Sequence, residues 1–248
     1  DMDTGLTGKV VLITGATRNH GRSSAIAFAE EGADLLICTR SSMDLLEETA
    51  ELAAKSGAKV VTQQCDVTEE DQVEALVKRG MDEFGHIDVL VNNAGWRARG
   101  QLLDISNETW DTTLRTNVHA PFLLCKATIP SMKSRNWGRI INYSGIAAFH
   151  GSSGSTLKMA NLGFTRAVAA AYGKYNITAN LIAPGSIAVE RTPGQEIPAG
   201  HGTATDNIPI PRQGFVEECT ATAIFLASEQ ASYITGQTYS VNGGAHFL

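Results

Sequence analysis

The sequence predicts a doubly wound α/β protein built on one parallel sheet, and three observations carry that reading. Short apolar runs of strand length alternate along the whole chain with longer segments of helical period. The first run leads directly into a glycine-containing turn and then a helix, and no shift in composition marks a second domain. Strands alternating with helices must pair in parallel, and right-handed crossovers then place helices on both faces of the sheet.

Seven runs read as strands: residues 9–13, 34–38, 59–64, 88–91, 139–143, 177–182 and 238–241. They are rich in Val, Ile and Leu, as strands covered on both faces must be. Between them, residues 23–31, 43–55, 69–84, 110–132, 159–172 and 215–227 carry apolar residues at helical spacing. The stretch 190–213 has no period and is rich in Pro, Gly and Thr. A long excursion after a strand's carboxyl end covers the substrate in such folds, so residues 186–211 are expected to form a lid. No repeat or linker interrupts the chain, and residues 1–248 read as a single domain.

Composition narrows the function. With 248 residues, 43% of them apolar, a sizeable core is available. A net charge of −6 offers no concentrated basic face for a phosphate backbone, so nucleic acid is not an expected partner and a small-molecule substrate is. Cys38, Cys65, Cys125 and Cys219 lie far apart, with neither a CxxC pair nor histidines at zinc spacing; reduced thiols, no metal and a cytoplasmic location are expected. There is no apolar run of membrane length and no basic segment leading into an apolar one, so neither insertion nor export is expected.

The first turn reads Thr14-Gly15-Ala16-Thr17-Arg18-Asn19-His20-Gly21. Strand, glycine turn and helix N-terminus together form a pyrophosphate site, because the unpaired N–H groups and the dipole of the helix both favour an anion. The second strand ends at Thr39-Arg40, with no carboxylate at its tip to accept from a ribose 2′-hydroxyl. Arg40 and Arg18 suit a 2′-phosphate instead, which favours NADP(H) over NAD.

These residues resemble the short-chain dehydrogenase/reductase family, whose loop reads Thr-Gly-x-x-x-Gly-x-Gly. Gly15 and Gly21 match its first and last glycines, and Asn19 stands at the middle one. The likeness continues through Asp66-Val67, Asn92-Asn93-Ala94-Gly95, Asn117 in Asn117-Val118-His119, Pro184-Gly185, Tyr233-Ile234-Thr235-Gly236-Gln237 and Val241-Asn242-Gly243-Gly244, covering essentially the whole chain. It implies a Rossmann-like sheet that binds the cofactor through Gly15, Thr17, Arg18, Asn19, His20, Gly21 and Arg40. Asp66 and Val67 would flank the adenine, and Asn93, Ala94 and Gly95 would sit behind the cofactor. Lys158, Pro184, Gly185 and Ile187 complete the expected cofactor contacts. The resemblance also implies a homotetramer or dimer assembled through the helices 110–132 and 159–172.

In that family a Ser and a Tyr flank the substrate carbonyl, and a lysine four residues after the tyrosine lowers a phenol pKa that is otherwise about 10. Here Lys158 matches the lysine, but Gly154 stands four positions before it. The usual serine position falls on Gly145, with Ser144 just before it. The intervening segment is also shorter than usual, by roughly one helical turn. The catalytic set therefore reads Asn117, Ser144 and Lys158, with the tyrosine missing.

Three explanations stay open. In the first, another group stands in as proton donor, Tyr143 and His150 being the nearby titratable residues and Ser144, Ser152, Ser153, Ser155 and Thr156 offering hydroxyls. In the second, the fold has lost hydride transfer and become a non-redox cyclase, isomerase or lyase, or a non-catalytic partner. Or the polypeptide is longer at this point, which an intact mass of 26.4 kDa would exclude. On the substrate side, Trp96, Arg97 and Arg99 follow the Asn93-Ala94-Gly95 turn and suggest an anionic or aromatic substrate. The expected activity is NADP(H)-dependent interconversion of a carbonyl and an alcohol.

Overall fold

The computed structural model describes residues 3–98, 100–151, 155–190 and 207–247. Strands β1 (Val10–Thr14), β2 (Asp34–Thr39), β3 (Val60–Gln64), β4 (Val89–Asn92), β5 (Gly138–Tyr143), β6 (Ile177–Pro184) and β7 (Thr238–Val241) form one sheet in the order β3-β2-β1-β4-β5-β6-β7. Every pairing is parallel. The sheet is flanked by α1 (Asn19–Glu30), α2 (Met43–Ala54), α3 (Glu70–Phe84), α4 (Asn107–Leu114), α5 (Ala120–Arg135), α6 (Thr156–Tyr172) and α7 (Val216–Ala227). The seven expected strands are all present.

Alternation along each strand divides the core in two. Val10, Leu12, Leu36 and Ile140 join one buried cluster with Leu76 of α3, Leu123 and Leu124 of α5 and Val168 of α6. Their strand neighbours Val11, Ile13, Leu35, Ile37 and Ile141 join the other, with Phe28 of α1, Leu46 of α2 and Ile224 of α7. Period-2 side chains with helices on both faces explain why the strands read as unbroken apolar runs. The strand order reverses between β1 and β4, and the crevice at their carboxyl ends is where such sheets bind ligands.

Three helices start three or more residues ahead of expectation. Helix α1 begins at Asn19 rather than residue 23, because extended Arg18 (φ −161°, ψ 174°) feeds the turn straight into the helix. Helix α6 begins at Thr156, ahead of residue 159. The segment expected as one helix over 110–132 starts at Asn107, where the Ser106 hydroxyl accepts from the Thr109 N–H as an N-cap. It then widens into a π-turn at Arg115–His119 before continuing as α5. Asn117 accounts for the widening: its side-chain Nδ2 donates to the Thr113 carbonyl at 2.9 Å, taking the acceptor that its own N–H would use in the α register. Pro121 has no N–H to return to the Asn117 carbonyl. π-Turns of this kind concentrate at functional sites.

Candidate active site

Thr14, at the carboxyl end of β1, ties the two sides of the crevice together. Its Oγ1 accepts from the N–H groups of Asn93 (3.1 Å) and Ala94 (3.0 Å). Asn93 Nδ2 returns hydrogen bonds to the carbonyls of Thr14 (2.9 Å) and Gly15 (3.0 Å). The turn needs its glycines. Gly15 has φ +67°, and a Cβ on Gly21 would lie 2.2 Å from the Gly15 carbonyl oxygen. No side chain caps the first turn of α1, so its N–H groups face the crevice available to an anion.

A cleft of about 590 Å³ opens over this loop. Gly15, Thr17, Arg18, Asn19, His20, Arg40, Asp66, Val67, Asn93, Ala94 and Gly95 all line it, so the structure brings most of the expected cofactor residues to one surface. Arg40 is exposed at the tip of β2, its carbonyl held by Gln64 Nε2 at 2.9 Å. Asp66 Oδ1 accepts from the N–H (3.0 Å) and hydroxyl (2.7 Å) of Thr68, which fixes the turn that follows β3. Gly21 lies buried beneath the loop. Pro184, Gly185 and Ile187 lie at the end of β6: a Cβ on Gly185 would meet Asn242 at 2.7 Å, and Ile187 is buried against Val216 and Cys219.

At the other end of the cleft three expected residues converge. Asn117 clamps Trp96, its Nδ2 donating to the Trp96 carbonyl at 2.6 Å and its Oδ1 accepting the Trp96 N–H at 3.2 Å. Ser144 Oγ donates to the Lys158 carbonyl at 3.2 Å, while Lys158 Nζ donates to the Ser144 carbonyl at 3.3 Å, cross-linking the end of β5 to the first turn of α6. A Cβ on Gly95 would lie 3.3 Å from Asn117 Oδ1 and 3.9 Å from Lys158 Nζ, which locates the ammonium at that turn. Burial, and then the charge of Arg97, lowers the Lys158 pKa from its ordinary value.

Beneath α6 runs a buried chain that the sequence reading missed. Asn92 Nδ2 donates to Asn142 Oδ1 (2.8 Å), Asn142 Nδ2 to Thr165 Oγ1 (2.8 Å), and Thr165 to the Asn161 carbonyl (2.6 Å). Asn in two central strands facing Thr in a helix is the only signal the sequence carries for it, and pairing it requires the sheet register.

Tyr143 does not join this group. Successive residues of an extended strand point to opposite faces, so Ser144 turns toward α6 and Tyr143 toward α1 and α7. The Tyr143 ring packs against Ile187, Val216 and Cys219 and stacks on His20, centroids 5.4 Å apart. Its hydroxyl is buried beside Ser24, and burial drives the phenol pKa well above its ordinary value. A phenol so placed is not positioned to protonate a substrate beside Lys158, and the sequence expectation for it is corrected on that ground. His150 is exposed and packs edge-on against His246, centroids 4.6 Å apart. Ser155 is buried, its hydroxyl without a partner among the described residues. Ser152, Ser153, Gly154 and Arg99, and residues 191–206 of the expected lid, lie outside the described residues.

Arg97 and half-exposed Trp96 stand at the rim next to Gly95. All four cysteines are free and buried. Among the described residues no helix is long and apolar enough to cross a membrane.

Comparison with known proteins follows the same outline. Residues 15–246 match the family model described as enoyl-(acyl carrier protein) reductase. The chain belongs to the short-chain dehydrogenase/reductase family. It is 37% identical to the 3-oxoacyl-[acyl-carrier-protein] reductase of Chlamydia muridarum, over 98% of this chain and 99% of that one. That alignment spans 256 positions, more than this chain's 248 residues, so the relative has residues with no counterpart here. The reductase of the same description from Thermotoga maritima is 34% identical over 96% of this chain and 98% of its own. Among solved structures, a short-chain type dehydrogenase/reductase from Mycobacterium marinum superposes with a TM-score of 0.87 at 33% identity, covering 96% of this chain and 95% of that one. Levodione reductase gives 0.87 at 28% identity, covering 96% and 97%. The chain is thus an oxidoreductase of short-chain dehydrogenase/reductase type, with a single-domain α/β fold.

Proposed function

We propose that this protein reduces a 3-oxoacyl thioester carried on acyl carrier protein to the 3-hydroxyacyl thioester, with NADPH as reductant. The observation that carries the reading is the convergence of Asn117, Ser144 and Lys158 at the Gly95 end of the cleft. The relatives named for 3-oxoacyl-carrier substrates, similar over nearly their whole length, supply the substrate class.

The residues fit a dinucleotide. The uncapped N-terminus of α1 and the glycine cradle, where a Cβ on Gly21 could not be accommodated, suit a pyrophosphate. Arg18 and Arg40 line the same cleft without an acidic residue at the β2 tip, which favours the 2′-phosphate of NADPH over NADH. When bound, the nicotinamide supplies the hydride. Lys158 would hold the ribose hydroxyls, and its lowered pKa makes it the group best able to exchange a proton beside the carbonyl. Ser144 Oγ, here donating to the Lys158 carbonyl, would orient the substrate oxygen by turning toward it. Asn117 keeps Trp96 and Gly95 in place and would support proton delivery. Arg97 at the rim suits an acidic carrier. Exposed Phe122 and the groove it forms with Ile129 and Phe164 between α5 and α6 support assembly into a homodimer or homotetramer.

A second reading, loss of ordinary hydride transfer, is favoured by one observation: Gly154 replaces the tyrosine and Tyr143 faces the opposite side of the sheet. Titration with NADPH and NADH, followed by NADPH oxidation with an acetoacetyl thioester, separates the two. Tighter binding of NADPH by at least about tenfold, together with consumption that Lys158→Ala abolishes, is the expected result. Binding without consumption would establish the second reading, and equal affinity for both nucleotides would refute the roles of Arg18 and Arg40.

A further inference from the structure

Residue 19 meets two demands at once. Its backbone is left-handed, with φ 49°, a conformation that most side chains avoid; the described non-glycine residues with positive φ are Asn19, Asn136 and Asn176, all asparagines. Its side-chain amide also makes two hydrogen bonds to a single distant residue. Asn19 Nδ2 donates to the Glu190 carbonyl at 2.8 Å, and the Glu190 N–H donates to Asn19 Oδ1 at 2.8 Å. This is the reciprocal exchange of a hydrogen-bonded pair in an antiparallel ladder, supplied here by a side chain. Glycine would satisfy the backbone and neither bond. Aspartate would keep the acceptor and set a charge against the Glu190 carbonyl. Glutamine has the amide but a poorer fit to the left-handed backbone. Asparagine alone answers both demands.

Glu190 lies on the segment that leaves β6 through Pro184 and Gly185. That segment is held midway by Gly214, whose N–H donates to the Ser186 carbonyl (2.9 Å) and whose carbonyl accepts the Ala188 N–H (2.8 Å). Asn19 holds it again at Glu190. The carboxyl end of β6, beside the expected nicotinamide contacts, is therefore fastened directly to the loop that faces the pyrophosphate.

We propose that Asn19 is a positioning residue for the reaction: it latches the Glu190 main chain to the phosphate loop, so that the segment after Pro184-Gly185 takes its place relative to the cofactor. The proposal rests on the dinucleotide reading of the cleft. It explains why the middle glycine of the motif can be replaced, since the substitution retains the backbone conformation and adds a tether.

The test is amide hydrogen exchange at residue 190 in the full-length protein, alongside substrate KM and nucleotide Kd. Asn19→Gly permits the same backbone and removes both bonds; exchange at Glu190 is expected to accelerate about tenfold, as for the loss of a typical hydrogen bond of about 1.4 kcal/mol. Substrate KM is expected to rise more than nucleotide Kd. Asn19→Asp, which keeps only the acceptor, should fall between, and provides the measurement if the glycine variant does not fold. Glu190→Ala retains both main-chain partners and should keep slow exchange. Unchanged exchange in Asn19→Gly would overturn the latch. Faster exchange with a rise in nucleotide Kd alone would overturn the substrate-positioning role. The exchange readout needs no turnover, so failure of the redox assignment would appear separately, as wild-type protein that does not consume NADPH.

Discussion

His20 offers a prediction that the structure makes quantitative. Its imidazole stacks on Tyr143, its Nδ1 is buried without a hydrogen-bond partner among the described residues, and its pKa is pushed down to about 4, first by burial and then by the charge of Lys158. The folded protein therefore resists a proton that the unfolded chain accepts at about 6.5. Because the folded pKa is the lower one, the associated stability is complete above pH 6.5 and is lost as pH falls toward 4. Between pH 7 and pH 5 the unfolded state takes up about three-quarters of a proton and the folded state little, which costs about 2 kcal/mol. That is a sizeable share of a typical folding free energy of about 5–15 kcal/mol. The assay is urea unfolding of wild type and His20→Gln at pH 7 and pH 5, at one fixed protein concentration. The wild type should lose about 2 kcal/mol more than the variant over that interval. Equal pH dependence in the two proteins, or a His20 imidazole titrating near 6.5 by NMR, would refute the reasoning.

Two further outcomes follow from packing. Gly21→Ala forces a Cβ against the Gly15 carbonyl at 2.2 Å and Asn93 Nδ2 at 2.7 Å, so the loop must open; nucleotide Kd should rise about 100-fold, and an unchanged Kd in the folded variant would contradict the cradle. Asn142→Leu removes the partner of Asn92 Nδ2 in a fully buried chain, which should cost about 2–3 kcal/mol and lower Tm by about 5–10 °C; a thermal melt superimposable on wild type would show that the chain is not a stabilising element.

The sheet was legible because each strand is buried on both faces and so reads as a continuous apolar run, with Val10 and Val11 alternating between two clusters. The glycine loop of the cleft was legible because its parts are local: glycines, a strand and a helix N-terminus are contiguous in sequence. What the sequence could not show are pairings between distant segments. Nothing near Asn19 announces Glu190, and nothing near Asn142 announces Thr165. The one-residue parity that separates Ser144 from Tyr143 was also hidden, because which face a strand residue takes depends on register with β4 and β6. The π-turn at Asn117 escaped for a similar reason: a side chain that displaces its own backbone N–H leaves no trace in apolar periodicity.

These non-local pairings bear on the missing tyrosine. Lys158 is held by its own exchange of hydrogen bonds with Ser144, and α6 is held in register by Thr165 on Asn142 and by its packing against β6. Asn117 is fixed through Trp96 and Thr113. Under the proposed function, a glycine standing in for the family's tyrosine would remove an acid while the supports of Asn117, Ser144 and Lys158 described above remain, and the proton would come from a group with a different pKa. Lys158, whose pKa burial and Arg97 lower, is a titratable side chain that the structure holds at the Gly95 turn. A reductase working this way has its proton donor and its ribose anchor in one side chain, which makes the Lys158→Ala outcome the sharper of the two tests of redox function.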